Sequence, residues 1–372
     1  MKQKITLEDL MPSRPLPCDL FSQAGIRVAQ AGTPVPDEAA MARLIRQGLF
    51  ADAASIWRQP PETAAQMTLH AAEQLHTMLM LRDRPAEFAR AFVPAMAAIA
   101  DLINASWQRD PHVLLAVLML QTEIDPAVRH ALLTAAIVQC VLGAMQRDAA
   151  DDVLILSVAA GMRAAIPTRA EGQVVALLRS QGGPGSSAEY LSALGVTRAS
   201  WIELHTQAIA LLHSATRPPQ RKNTGAGPSL QAQLVAMSDL YCSHLAVEAD
   251  QAESSRVILR DLLIEHGGLF DARLASYFIR ALGVYIIGSV VLLRSGEIGV
   301  VCEQSDEIDA PWVCSTAGSL GVALEPTLRD TRDERHAIQS ALGPTDLVSH
   351  IDMQRVWGPE ARGYALPYPV AA

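Results

Sequence analysis

The sequence predicts a mainly α protein: a helical bundle with a small β-rich cap at its N-terminal end and a small β appendage towards its C-terminal end. Between residues 61 and 285, apolar residues recur at helical spacing in segments separated by proline, glycine and acidic breaks. Residues 1 to 36 instead carry short apolar segments between turn residues. Residues 288 to 302 are two β-type segments joined by a turn at Ser295 and Gly296.

Composition limits the classes of partner. The chain has 372 residues, of which half are apolar and 19% are charged, so it can bury a sizeable core in two or three domains. The net charge of -9 argues against a broad surface for nucleic acid polymers or for an anionic membrane. The uncharged run from 131 to 145 is too short for a bilayer and is interpreted as a core helix.

The N-terminus and the cysteines indicate a cytoplasmic protein. Acidic residues occupy the place where a signal peptide would have its apolar segment. The five cysteines are odd in number and show no CxxC spacing, which is typical of reduced thiols and gives no support to a zinc site.

Four regions are predicted along the chain. They are an N-terminal β-rich cap and linker helix (1–60), a helical domain (61–285), a β appendage (286–330), and a C-terminal helix and tail (331–372). The cap is expected to contain a strand, a turn at Gly25, a second strand and a helix over 37–49. The helices of the domain are expected at 63–81, 85–108, 112–121, 127–145, 188–194, from 197 onwards, 229–247, 253–266 and 272–282. Beyond the hairpin, strands are expected at 312–315 and 321–324, and a helix within 330–342.

Three short segments occur in a characteristic order. They read Met237-Ser238-Asp239-Leu240-Tyr241, Phe270-Asp271-Ala272, and Leu282-Gly283-Val284-Tyr285. In this order and spacing they resemble the C-terminal half of the HD-GYP family, all-helical metal-dependent phosphodiesterases whose usual substrate is cyclic di-GMP. The resemblance implies an HD-GYP-like helical domain in which Asp239 takes the place of a metal-binding aspartate.

His130 falls where that family has its first metal-site histidine, near the start of a long apolar helix. The resemblance therefore implies a remaining ligand. A single histidine at the start of an apolar helix is also typical of a core or capping residue, and the sequence leaves both interpretations open.

The His-Asp pair that names the family is missing. Aligning Ile166-Pro167 with the family's pattern places Ala159 and Ala160 where the pair belongs, and residues 153 to 170 contain no His, Asp or Glu. Such enzymes hold two divalent ions close together, which lowers the pKa of a bridging water and clamps the scissile phosphate. Methyl groups cannot ligate metal, so no catalytic residue, metal site or cofactor is predicted.

The family's remaining motifs are absent as well. No adjacent histidine pair follows Trp201, and His205 and His213 are interpreted as one packed and one exposed side chain. The loop from 215 to 229 lacks the Gly-Tyr-Pro turn but carries Arg217, Arg221 and Lys222. With Arg163, these are candidate phosphate or partner contacts, although charged Pro/Gly loops are usually solvated connectors.

The sequence therefore predicts a catalytically inactive HD-GYP-like signalling or adaptor protein. By the resemblance, its expected partners are a GGDEF-type diguanylate cyclase, another signalling protein, or cyclic di-GMP itself. One alternative is a divergent phosphodiesterase that assembles a divalent metal site from His130, Asp239 and either Asp151 or Asp152. Another is an oligomerisation module without a ligand.

Overall fold

The computed structural model describes residues 2–4, 19–30, 33, 49–52, 62–81, 84–146, 152–162, 192, 196–215, 228–247, 257–258, 260, 270–318, 322–342 and 351–363. The chain divides into two compact units, residues 1–62 and residues 63–372.

The first unit contains a four-stranded antiparallel sheet. Its strands are β1 (Lys2–Lys4), β2 (Leu20–Phe21), β3 (Arg27–Ala29) and β4 (Phe50–Asp52), in the order β1-β4-β2-β3. The turn between β2 and β3 contains Gly25 at φ 81°, a left-handed conformation that glycine adopts without steric cost. The predicted strand, turn and strand are confirmed, whereas nearly all of the predicted helix over 37–49 lies outside the described residues.

The second unit is mainly α, as predicted. Its described helices are α1 (Ala64–Met80), α2 (Pro85–Arg109), α3 (Pro111–Leu120), α4 (Pro126–Ala144), α5 (Asp152–Gly161), α6 (Ala199–Ala215), α7 (Leu230–Val247), α8 (Ala272–Leu282) and α9 (Met353–Trp357). Nearly all of the predicted helix over 188–194 and most of the one over 253–266 lie outside the part of the chain that the structure describes.

Local sequence signals explain where these helices begin. Thr63 and Gln66 form a reciprocal capping box at the start of α1. The carboxylates of Asp110 and Asp125 accept hydrogen bonds from the first free backbone N–H groups of α3 and α4. A proline follows each of these aspartates, at a position where the missing N–H has no cost.

Helix α4 lies at the centre of the second unit. Every residue from 131 to 142 is buried, and α4 packs against α1, α2, α3, α5, α7 and α8. By length and composition alone α4 could cross a membrane, but 72% of its most apolar stretch is buried inside the protein. That burial is the environment expected of the predicted core helix, and a cytoplasmic location stays a prediction.

A five-stranded antiparallel sheet follows α8. Its strands are β5 (Val290–Leu293), β6 (Ile298–Glu303), β7 (Trp312–Ala317), β8 (Ala323–Asp330) and β9 (Ile338–Leu342), in the order β8-β7-β6-β5-β9. The predicted hairpin and the strand from Trp312 are confirmed.

The predicted helix within residues 330–342 is wrong. Strand β8 continues to Asp330, and β9 pairs with β5 through the backbone, with Val290 opposite Leu342. Pairing with β5 satisfies the backbone groups of this segment and places Ile338 and Leu342 against the core. The sheet therefore extends past the predicted boundary at 330, and the described helix in the C-terminal region is α9.

The sheet shares its apolar core with the helices. Gln304 Nε2 donates to the carbonyl oxygens of Leu282 and Tyr285, at 3.0 and 2.8 Å, and Trp357 Nε1 donates to the Cys302 carbonyl at 3.0 Å. One continuous cluster of buried side chains includes residues of both the helices and the sheet. The sheet is thus packed into the second unit, and the other predicted domain boundaries stay predictions.

Gly288, two residues before β5, packs closely against α3. It has φ 89°, and a Cβ there would lie 2.7 Å from the Met119 Cβ. We expect Gly288→Ala to lower the free energy of unfolding by about 2 to 4 kcal/mol, because it adds steric overlap to the cost of a left-handed alanine. Gly358→Ala is the matched control, since Gly358 also has positive φ but no atom within 4 Å of the added Cβ. Equal losses in urea unfolding of the two variants would contradict this close packing.

Candidate functional site

His130 and Asp239 meet between α4 and α7. The His130 Nε2 and Asp239 Oδ1 atoms are 2.9 Å apart, and the two side chains are only 9% and 4% exposed. With the ring proton on Nε2, the imidazole donates to the carboxyl oxygen at this distance, and the bond lies away from bulk water. The two residues are 109 positions apart in sequence and are brought together by the packing of their helices.

The backbone around this pair is held in regular helix. Thr134 Oγ1 donates to the His130 carbonyl at 2.9 Å, and Ser243 Oγ donates to the Asp239 carbonyl at 2.8 Å. Ser238 is fully buried, and its Oγ has no hydrogen-bond partner among the described residues. His130 is a partly buried residue bonded to the other candidate ligand, and its two interpretations, remaining ligand or core residue, stay predictions.

Ala159 and Ala160 lie on α5, which packs against both α4 and α7. They are 1% and 0% exposed, so their methyl groups form part of the closed core. Asp152 begins the same helix, and Asp151 lies outside the described residues. The predicted positions are thus on three mutually packed helices, and two of the four supply only carbon.

The described residues do not fit a binuclear metal centre. No group of three or more His, Cys, Asp or Glu side chains within the described ranges is arranged to hold an ion. His130 and Asp239 supply one imidazole and one carboxylate, whereas a two-metal cage needs oxygen and nitrogen ligands from several elements. The candidate cations Arg163, Arg217, Arg221 and Lys222 lie outside the described residues, so their proposed contacts stay predictions.

A second polar cluster, formed by Ser157, Met162, Trp201 and His205, lies between α5 and α6. The rings of Trp201 and His205 stack with centroids 5.4 Å apart, and Trp201 Nε1 donates to Ser157 Oγ at 3.1 Å. His205 Nε2 lies 3.3 Å from the Met162 carbonyl oxygen. Sequence reasoning missed this cluster, because its two halves, Ser157 with Met162 and Trp201 with His205, are more than forty positions apart.

Burial dominates the chemistry of His205. The side chain is fully buried, its Nδ1 has no partner among the described residues, and burial lowers its pKa to about 4. The predicted packed histidine is confirmed, whereas His213 is half-buried instead of exposed. His205 is therefore a neutral, structural histidine near pH 7.

Comparisons with known proteins give one structural similarity. No protein-family model matches the chain, and no curated protein matches it. A solved structure described as an HDG"Y"P protein from Bdellovibrio bacteriovorus covers 75% of this chain and 98% of its own, with 11% sequence identity and a TM-score of 0.42. Similarity at this level does not assign a family or an activity.

A double-mutant cycle tests the bond between His130 and Asp239. We expect His130→Ala and Asp239→Ala each to lower the free energy of unfolding by about 2 kcal/mol or more, because each leaves a buried polar partner with a lost hydrogen bond. The coupling energy should lie between about 0.5 and 3 kcal/mol. Chemical denaturation of the wild type, the two single variants and the double variant measures this coupling energy. Strictly additive effects would show that the two side chains do not interact.

The environment of His205 predicts a loss of stability in mild acid. Because its folded pKa of about 4 is below the unfolded value, the unfolded chain binds an extra proton between about pH 6.5 and pH 4. Stability from this residue is present above pH 6.5 and falls by roughly 2 kcal/mol at pH 5. His205→Gln should remove that increment from the pH dependence of urea unfolding. An unchanged profile would contradict the assignment.

Proposed function

We propose that the chain is a non-hydrolysing signalling or adaptor protein built on an HD-GYP-like helical domain. The observation that carries the proposal is the hydrogen bond of 2.9 Å between His130 and Asp239 inside the core. These are the two residues that the sequence resemblance offers as remaining metal ligands, and they bind each other. By the resemblance, Ala159 and Ala160 stand where the family has its His-Asp pair, and both methyl groups are buried.

Phosphodiester hydrolysis by a two-metal mechanism depends on charge concentrated at one point. Two divalent ions generate hydroxide near neutral pH and stabilise both the attacking and the leaving oxygen. Each lost carboxylate or imidazole weakens the site, because first-shell ligands supply both the affinity and the geometry. A single His-Asp pair that is already hydrogen-bonded and nearly excluded from water supports a structural role better than a catalytic one.

The resemblance supplies the partner class to test. A GGDEF-type diguanylate cyclase, another signalling protein or cyclic di-GMP is the first candidate. The two phosphates of cyclic di-GMP need cationic contacts, and under this proposal Arg163, Arg217, Arg221 and Lys222 are the side chains to examine. Guanidinium groups suit this role because they donate in pairs to phosphate oxygens.

The alternative function is a divergent phosphodiesterase. It would need His130, Asp239 and an acidic residue at 151 or 152 to bind a divalent ion, and the ion would have to displace the bond of 2.9 Å between the first two. The alternative rests on the persistence of these two residues at corresponding family positions.

Metal content and hydrolysis separate the two functions. Protein purified without chelator should contain far less than one equivalent of Mn, Fe or Zn by elemental analysis. We expect no hydrolysis of cyclic di-GMP when Mn²⁺ or Fe²⁺ is added. We also expect the melting temperature to stay the same with either ion, whereas an ion that bound only the folded state would raise it.

The control is Asp239→Asn, which preserves side-chain size and removes the ligand charge. Stoichiometric metal together with hydrolysis that this variant abolishes would establish the phosphodiesterase and overturn the proposal. Titration of the wild-type protein with cyclic di-GMP then distinguishes a nucleotide-binding module from one that acts only through protein contacts.

A further inference from the structure

We draw no further inference here: the strongest candidate, the exposed apolar patch of Val322, Leu324 and Leu328 along the edge strand β8, carries none because nothing in the structure shows what covers it.

Discussion

The burial of α4 is the constraint on which the second unit depends. Twelve consecutive residues, from 131 to 142, are buried, so this helix has neighbours on every side and no solvent-facing stripe. A helix that is apolar all round must be enclosed by protein if it is not in lipid. Helices α1, α2, α3, α5, α7 and α8 provide that enclosure. The position of each is therefore set by the need to cover one part of α4.

Enclosing α4 also decides how the buried polar groups are satisfied. His130 lies near the start of α4 and is bonded to Asp239 on α7, and Gln139 donates to Asn104 on α2. Such bonds cannot be replaced by water once the helices are packed, so losing a partner costs more than the bond itself contributes. The bond between His130 and Asp239 is thus one of the interhelical hydrogen bonds that hold α4 in the bundle.

The C-terminal sheet is joined to this bundle by specific side chains. Gln304 of the sheet region donates to the carbonyl groups of Leu282, at the end of α8, and of Tyr285 just after it. The segment after α9 is joined to the bundle as well, since Arg109 of α2 forms an ion pair with Glu360 at 2.9 Å. Arg109 holds the pKa of the Glu360 carboxyl below its usual value, and this carboxyl also accepts from the Ala64 N–H at the start of α1. Strand β8 lies at the edge of the described sheet, where Leu324 and Leu328 are exposed.

The sequence by itself determined the elements whose signals are local. The helices from 63 to 145 follow from apolar periodicity and from caps such as Thr63, Asp110 and Asp125, and α8 ends at Gly283 as predicted. That Ala159 and Ala160 stand where the resemblance expects the family's His-Asp pair stays a prediction from the sequence. Only the tertiary structure decided the rest. The bond between residues 130 and 239, the stacking of His205 on Trp201 and the pairing of β9 with β5 join segments that are distant in sequence. Residues 338–342 form a strand because a free edge of β5 is available, and no local propensity encodes such an edge.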